Sequence, residues 1–531
     1  MTATDHLAAL ASPACYPHAP ADVRVLQTHL SVVCLAGDLV YKLKKAVTLP
    51  FVDFAALAAR RQACRDEVRL NRRLCPDVYL GTAALRRGAD GVVRFAPIGD
   101  DDAGDGGLAD LDVAVVMRRL PQARMLDELL RASAVAPAAI AALAAHVADF
   151  HARCERPAAE AATASADLLA RFADENFAQS QALGDDALPA RLLAALAAAS
   201  RAGFARLLPT LRARASAGRV VDGHGDLHAR NVCMTEPPAV YDCIEFEPRF
   251  RIADVAAEVA FLAMDLRYRG APALAGAFVD AYVARSGDRD LPALLPWLCS
   301  YRAMVRAKVA AIAAADAALP AADRDGARHS ARAHLRLAAT CGCEADGLRW
   351  LVLCGPPASG KSTIAAALHA ATGWPVAATD AVRKQLAGIA PQQRGDAAVY
   401  TPEFTARTYA TVFADAAAAT AAGARVVVLD GNFATIDQRR AAAAAAVAAG
   451  AQAMVLHVDV DAATALARAT ERAARGGALS DADAAVTARL RAAFAPPTPA
   501  EGLPLRRCQG ALAAADAADD TLAAMLADGG P

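Results

Sequence analysis

The nine residues GPPASGKST at 355–363 constrain this chain more tightly than any other stretch. They complete a G-x-x-x-x-G-K-[ST] pattern, and the apolar run LVLC at 351–354 leads into them as a buried strand. The alanine-rich run 364–371, closed by Gly373, follows as a helix. In that order the loop turns its backbone N–H groups and a helix N-terminus toward an anion. Gly355, Pro356, Pro357, Ala358, Ser359, Gly360 and Thr363 make the cradle for nucleotide phosphates. Lys361 reaches the β/γ oxygens, and the Ser362 hydroxyl ligates Mg2+. Such a strand–loop–helix predicts an α/β domain with a parallel sheet over 346–531.

Downstream, 375–380 reads as a short strand ending in Asp380, with Arg383 and Lys384 on the helix after it. The strand 425–429 ends at Asp430, a second metal-ligand position, and 453–460 is a further strand. Arg468, Arg472 and Arg475 then share one helix face. They suit either a lid over transferred phosphate or a solvated face, since Arg is the default cation of this chain. A terminal helix is expected over 511–528. These features resemble the small P-loop kinases, the group of gluconate kinase, chloramphenicol phosphotransferase and zeta-toxin relatives. The resemblance implies that Asp380 positions an acceptor hydroxyl.

A second constellation lies in VVDGHGDLHARNVCMTEPPAVYDCIEF at 220–246. An apolar strand enters a polar loop holding Asp226 and Asn231, and a hairpin over 231–242 follows. Antiparallel pairing of its arms sets Asn231 and Asp242 side by side, with Asp226 on the same rim. One acid to orient a hydroxyl and two oxygen ligands for a metal are what phosphoryl transfer from Mg-ATP requires. The string HGDLHARN is similar to the H-G-D-x-x-x-x-N loop of the aminoglycoside phosphotransferase-like (kinase-like) family. That likeness implies Asp226 as catalytic base, with Asn231 and Asp242 as metal ligands. It also implies an aspartate near 254 that holds the loop, and Asp254 fits there or as a plain helix N-cap. His151 reads as a packed helix histidine.

Only six of the 56 basic residues are lysine, so each lysine is informative. Two strands are expected over 23–33 and 35–45, and alternation places Lys42 and Lys44 on one face. Either could grip phosphate; Lys42 is favoured for its place after Val40-Tyr41. Asp53 is expected to cap a helix over 54–74, whose Glu67 is either the partner of Lys42 or a solvated carboxylate. Strands over 80–85, 92–97 and 113–117 follow, then a hinge at 116–121 where backbone would meet adenine. Alanine-rich helices run from 126 to 211 and from 254 to 337. The expectation is an α+β kinase-like bilobal domain over 1–345, with a β-rich N-lobe at about 20–120 and a helical C-lobe at 121–345. A short polar linker then joins it to the P-loop domain.

Net charge is −1, which suggests no nucleic-acid or membrane partner. Alanine inflates the 56% hydrophobic content, and no strongly apolar run of about 20 residues predicts a membrane span. No Lys or Arg precedes the weak N-terminal apolar stretch, which argues against a signal peptide. The 12 cysteines are scattered, in keeping with reduced thiols in the cytoplasm. The whole resembles proteins described as bifunctional aminoglycoside phosphotransferase/ATP-binding proteins. That implies two sites for ATP and Mg2+, each phosphorylating a hydroxyl of a small molecule. The rival expectation is a regulatory protein in which the P-loop half hydrolyses or senses ATP.

Overall fold

The computed structural model describes residues 6–49, 52–96, 110–184, 187–390, 393, 395, 397–475, 484–510 and 514–527. By compactness the chain divides into two units, residues 1–170 with 207–299, and residues 171–206 with 300–531. The divisions fall inside helices, not in the linker expected at 345/346. The reason is local. Residues 341–345 continue the helix Ala321–Ala345, which buries Ala338, Cys341 and Cys343. That helix packs on Ala514–Leu526 within the second unit, and Arg332 and Arg336 both pair with Asp519, at 2.8 and 2.6 Å.

In the first unit, β1 (Val23–Gln27), β2 (Ser31–Ala36) and β3 (Leu39–Lys44) open an antiparallel sheet. Three strands stand where two were expected. The Thr28 hydroxyl accepts the Ser31 N–H at 3.0 Å, closing a turn inside the first predicted strand. A two-residue pair, β4 (Thr48–Leu49) and β5 (Val52–Asp53), precedes the helix Leu57–Asn71. Ala56 caps that helix, and Asp53 instead accepts from the Thr48 hydroxyl and the Ala55 N–H, each at 3.0 Å. With β6 (Tyr79–Arg87), β7 (Val93–Phe95) and β8 (Asp110–Arg118) the sheet order is β1-β2-β3-β8-β6-β7. Residues 97–109, between β7 and β8, lie outside the described residues.

Side-chain alternation gives this sheet two cores. Tyr41, Leu43, Ala114 and Val116 pack with Tyr16 and Phe95 on one face. Val40, Val113 and Val115 pack with Cys64 and Val68 of the helix Leu57–Asn71 on the other. Lys42 and Lys44 share the period of Val40, and both reach Glu67 of that helix. Below, β9 (Val220–Asp222) pairs with β12 (Ile252–Asp254), and the hairpin β10 (Val232–Cys233) and β11 (Ala239–Val240) lies between them in sequence. The helices Pro137–Arg153, Val255–Tyr268 and Pro272–Ser286 pack together as the helical layer.

The second unit carries five parallel strands: β13 (Arg349–Cys354), β14 (Val376–Ala378), β15 (Val426–Asp430), β16 (Gln452–Asp459) and β17 (Leu505–Gln509). Their order is β14-β15-β13-β16-β17, so the central strand is the one that feeds the glycine loop. Its residues are buried throughout, as a strand covered on both faces must be. Against the expectation of no membrane span, one described helix, Ala190–Ser216, is long and apolar enough to cross a bilayer by length and composition. Alanine supplies much of that apolarity, and Leu192, Leu193 and Leu196 are buried in the protein.

Candidate active sites

In the first unit, Lys42 Nζ lies 2.9 Å from Glu67 Oε1 and 2.5 Å from Asp242 Oδ1. Glu67 turns its other oxygen to Lys44, which also pairs with Glu245. The two lysines therefore differ. Lys44 is buried between two carboxylates, whereas Lys42 lies at the edge beside Asp242, whose side chain is 42% exposed. Burial opposes the charge on Lys42, but Asp242, Glu67 and Glu245 outweigh it and hold the amine well above its usual pKa. For Glu67, burial raises the pKa, but the lysine charges and hydrogen bonds win and bring it down to about 2. Burial, with the Glu67 charge, pushes Glu245 up despite Lys44.

The hairpin register departs from expectation. Val232 pairs with Val240 and Cys233 with Ala239, so Asn231 faces Tyr241, whose N–H it accepts at 3.0 Å. Asp242 lies one residue further on, with a left-handed φ of 64°. Such a conformation is uncommon for a non-glycine residue and better tolerated by Asp than by most. The segment is anchored by its neighbours. Tyr79 Oη accepts the Asp242 N–H at 3.2 Å, and Asn71 Oδ1 accepts the Cys243 N–H at 2.9 Å.

Asn231 Nδ2 donates to the Asp226 backbone carbonyl at 3.0 Å and to its Oδ2 at 3.1 Å. That commits the amide nitrogen and turns the amide oxygen outward as the atom that could meet a hard cation. His228 Nε2 lies 3.3 Å from Asp226 Oδ2, and its Nδ1 accepts the Arg230 N–H. Buried His224 uses Nδ1 to accept the Asp226 N–H at 3.2 Å and Nε2 to reach the Tyr241 carbonyl at 3.0 Å. Burial lowers its pKa, consistent with a neutral ring in both roles.

The loop is held by Glu258, not by Asp254. Glu258 Oε1 accepts the backbone N–H groups of His224 and Gly225, while Oε2 is 2.9 Å from His151 Nε2. Burial raises the Glu258 pKa, but His151, His224 and the Gly225 N–H together bring it down to about 2. A β-carbon at Gly223 would sit 2.2 Å from Glu258 Oε1, which explains a glycine at that position. Asp265 accepts the Ala229 N–H at 2.9 Å. Asp254 instead caps its own helix through the Ala256 N–H and pairs with buried Arg214 at 2.8 Å. Glu245, Glu258, Asp265 and His228 were not singled out in the sequence. Only Glu258 carried a signal, an acid near the start of an apolar helix, and Asp254 met that description as well.

In the second unit the phosphate loop has the expected setting, from β13 into the helix Lys361–Thr372. A β-carbon on Gly355 would lie 2.2 Å from the Val458 carbonyl, so the first glycine is demanded by close approach of backbone. Lys361 Nζ donates to the Pro356 carbonyl at 2.8 Å. The Ser362 hydroxyl hydrogen-bonds to Asp430, whose pKa is raised by burial although Lys361 and Ser362 oppose it. Parallel pairing aligns Ala378 with Asp430, which brings Asp380, in the first turn of the helix Thr379–Ala387, to the same sheet edge. Arg383 is otherwise engaged. It donates to the Val399 carbonyl at 2.5 Å and lies over the Tyr400 ring.

Arg468 donates to the Gly510 carbonyl at 2.7 Å, and its Nη1 would be 3.4 Å from a β-carbon on Gly360. It thus stands beside the phosphate loop. Arg472 and Arg475 follow on the helix Ala462–Arg475, with side chains outside the described residues. In both units cations and acids converge at one open edge, while the groups that hold them are buried.

Residues 56–297 match the model of the phosphotransferase enzyme family, and residues 351–497 match that of an AAA domain. Uncharacterized proteins of Mycobacterium tuberculosis and Mycobacterium bovis are each 31% identical to this chain over 477 residues. The match covers 88% of this chain and 90% of theirs. Among solved structures, a choline/ethanolamine kinase family protein from Mesorhizobium loti aligns over 63% of this chain and 98% of its own, at 15% identity and a TM-score of 0.35. A gluconokinase from Sinorhizobium meliloti aligns over 33% and 90%, at 16% identity and a TM-score of 0.25.

Proposed function

The chain belongs to the same family as those mycobacterial proteins, one that joins a phosphotransferase enzyme domain to an AAA domain, and on that premise we propose that each domain moves the γ-phosphate of ATP to a hydroxyl of a small molecule. The observation that carries the reading is the meeting of Lys42, Asp242, Asp226 and Asn231 at one edge, with their supports buried behind them. Their donor set suits a magnesium nucleotide: an ammonium for phosphate oxygens, and a carboxylate and an amide oxygen for the metal. When bound, the nucleotide supplies the phosphoryl group and the metal offsets its charge.

The chain's own residues do the rest. Lys42, fixed by Glu67, holds phosphate oxygens, and Asp242 with Asn231 holds the metal. Asp226 accepts the acceptor's hydroxyl proton and aims its oxygen, oriented by Asn231 and His228. The 116–121 segment meets the adenine. In the second domain residues 355–363 cradle phosphates, Ser362 and Asp430 hold the metal, and Asp380 orients the acceptor. Arg468, Arg472 and Arg475 offset charge on the transferred group. We place this chemistry in the cytoplasm, where ATP and reduced thiols coexist.

The test is a small-metabolite panel with labelled ATP, run on the full chain and on Asp226→Asn and Lys361→Ala variants. Asp226→Asn should keep ATP affinity but lose transfer to one set of acceptors by about 10² or more. Lys361→Ala should silence a different set. ATP hydrolysis indifferent to every acceptor in the panel would favour an ATP-driven regulatory protein instead.

A further inference from the structure

Beside the Glu258 clamp, the first unit holds a cavity of about 410 Å³ that neither proposed phosphoryl site uses. The helices Pro137–Arg153 and Pro272–Ser286 wall it, together with the turn before β9. Ala148, Ala152, Val221 and Val255 give it an apolar side. Three guanidinium groups border it, those of Arg156, Arg219 and Arg285. Arg285 is matched by Asp149 at 2.7 Å. Arg156 meets no carboxylate among the described residues, and Arg219 is only loosely paired with one. Arg156 donates to the uncharged carbonyls of Ala152 and Cys154, at 3.3 and 2.9 Å. Arg219 comes no closer than 3.9 Å to Asp288, whose two oxygens already take Arg214, each at 2.7 Å.

We propose that this cavity binds a small phosphomonoester through Arg156 and Arg219. One guanidinium group without a carboxylate partner and one held only 3.9 Å from a carboxylate it shares with Arg214 suit a dianion, and their forked donors fit phosphate oxygens. The volume exceeds what a bare phosphate needs, and the apolar side accepts a short carbon skeleton. His151 also lines the cavity; its Nδ1 lies 2.8 Å from the Tyr282 hydroxyl and its Nε2 meets Glu258. A carboxylate only accepts, so Nε2 carries the proton and, in the neutral ring, Nδ1 accepts from Tyr282. Glu258 in turn holds the backbone before Asp226. A ligand here would sit two hydrogen-bonded residues from that loop. The inference does not depend on which acceptor the active site uses.

The test is calorimetry on the full chain, with both nucleotide sites saturated by a non-hydrolysable ATP analogue and Mg2+. Glycerol 3-phosphate is the probe, with inorganic phosphate and succinate beside it. One molecule of glycerol 3-phosphate per chain should bind, more tightly than either comparison anion. The Arg156→Gln/Arg219→Gln pair should weaken it at least tenfold, and Arg24→Gln on β1 should not. Arg156 is exposed, so Arg156→Gln alone serves if the pair unfolds. Absence of binding, equal binding of succinate, or binding indifferent to both arginine variants overturns the proposal.

Discussion

Lys42 and Asp242 are 200 residues apart, yet Nζ of the first lies 2.5 Å from Oδ1 of the second. Glu67 makes this possible by holding Lys42 on one oxygen and Lys44 on the other. Lys44 then reaches Glu245, three residues beyond Asp242, so two parallel ion pairs tie β3 to the segment bearing Asp242. The outer pair is open to a ligand. The inner one is sealed.

The two lysines should therefore fail in different ways. Lys42→Met is expected to raise the ATP requirement of the first domain while leaving its stability near that of the parent. Lys44→Met strands Glu245 in a buried site and should destabilise the fold by about 3–5 kcal/mol. Urea unfolding beside ATP titration separates the two, and the reverse pattern would show that Lys44 is the phosphate-gripping lysine.

Acid should loosen the loop before Asp226 through Glu258. Its folded pKa, near 2, is below the ordinary 4.5. The stability it contributes is complete above the ordinary value and is lost as pH falls from there toward 2. Glu258→Gln should lower stability at neutral pH and flatten this part of the acid limb. Melting curves of both proteins between about pH 6 and 3 check it; an unchanged difference across that window removes Glu258 from the explanation.

Asp380→Ala is expected to leave ATP binding at the second domain within a few-fold, because residues 355–363 are untouched, and to abolish transfer to its acceptor. Lys361→Ala should weaken both. Full turnover in Asp380→Ala would make this acid, in the first turn of the helix Thr379–Ala387, structural.

The helix Ala321–Ala345 should belong to the folding unit of the phosphate-loop domain. A fragment of residues 300–531 is expected to be more soluble and to unfold more cooperatively than one of 346–531. The shorter piece leaves Asp519 without Arg332 and Arg336 and exposes the face that had covered Ala338 and Cys341. Equal behaviour of the two fragments would return the boundary to 346.

What the sequence determined by itself was chemistry carried on contiguous backbone. The loop 355–363 and the Asp226-to-Asn231 step were legible because one turn of chain sets their geometry, whatever packs around them. Strand and helix types followed where the apolar pattern was clear, as in the unbroken run of β13 and the helix Leu57–Asn71. Everything that needed two distant segments to choose each other was decided by tertiary structure. Lys42 and Lys44 lie on one strand face and look alike until Glu67, Asp242 and Glu245 arrive from elsewhere. Asp254 and Glu258 are four residues apart at the start of one helix, and packing gave the loop to Glu258 and Arg214 to Asp254. The course of the chain between the two domains was decided in the same way. A short glycine-containing stretch looks like a linker in sequence, but a helix that can bury an apolar face continues through it.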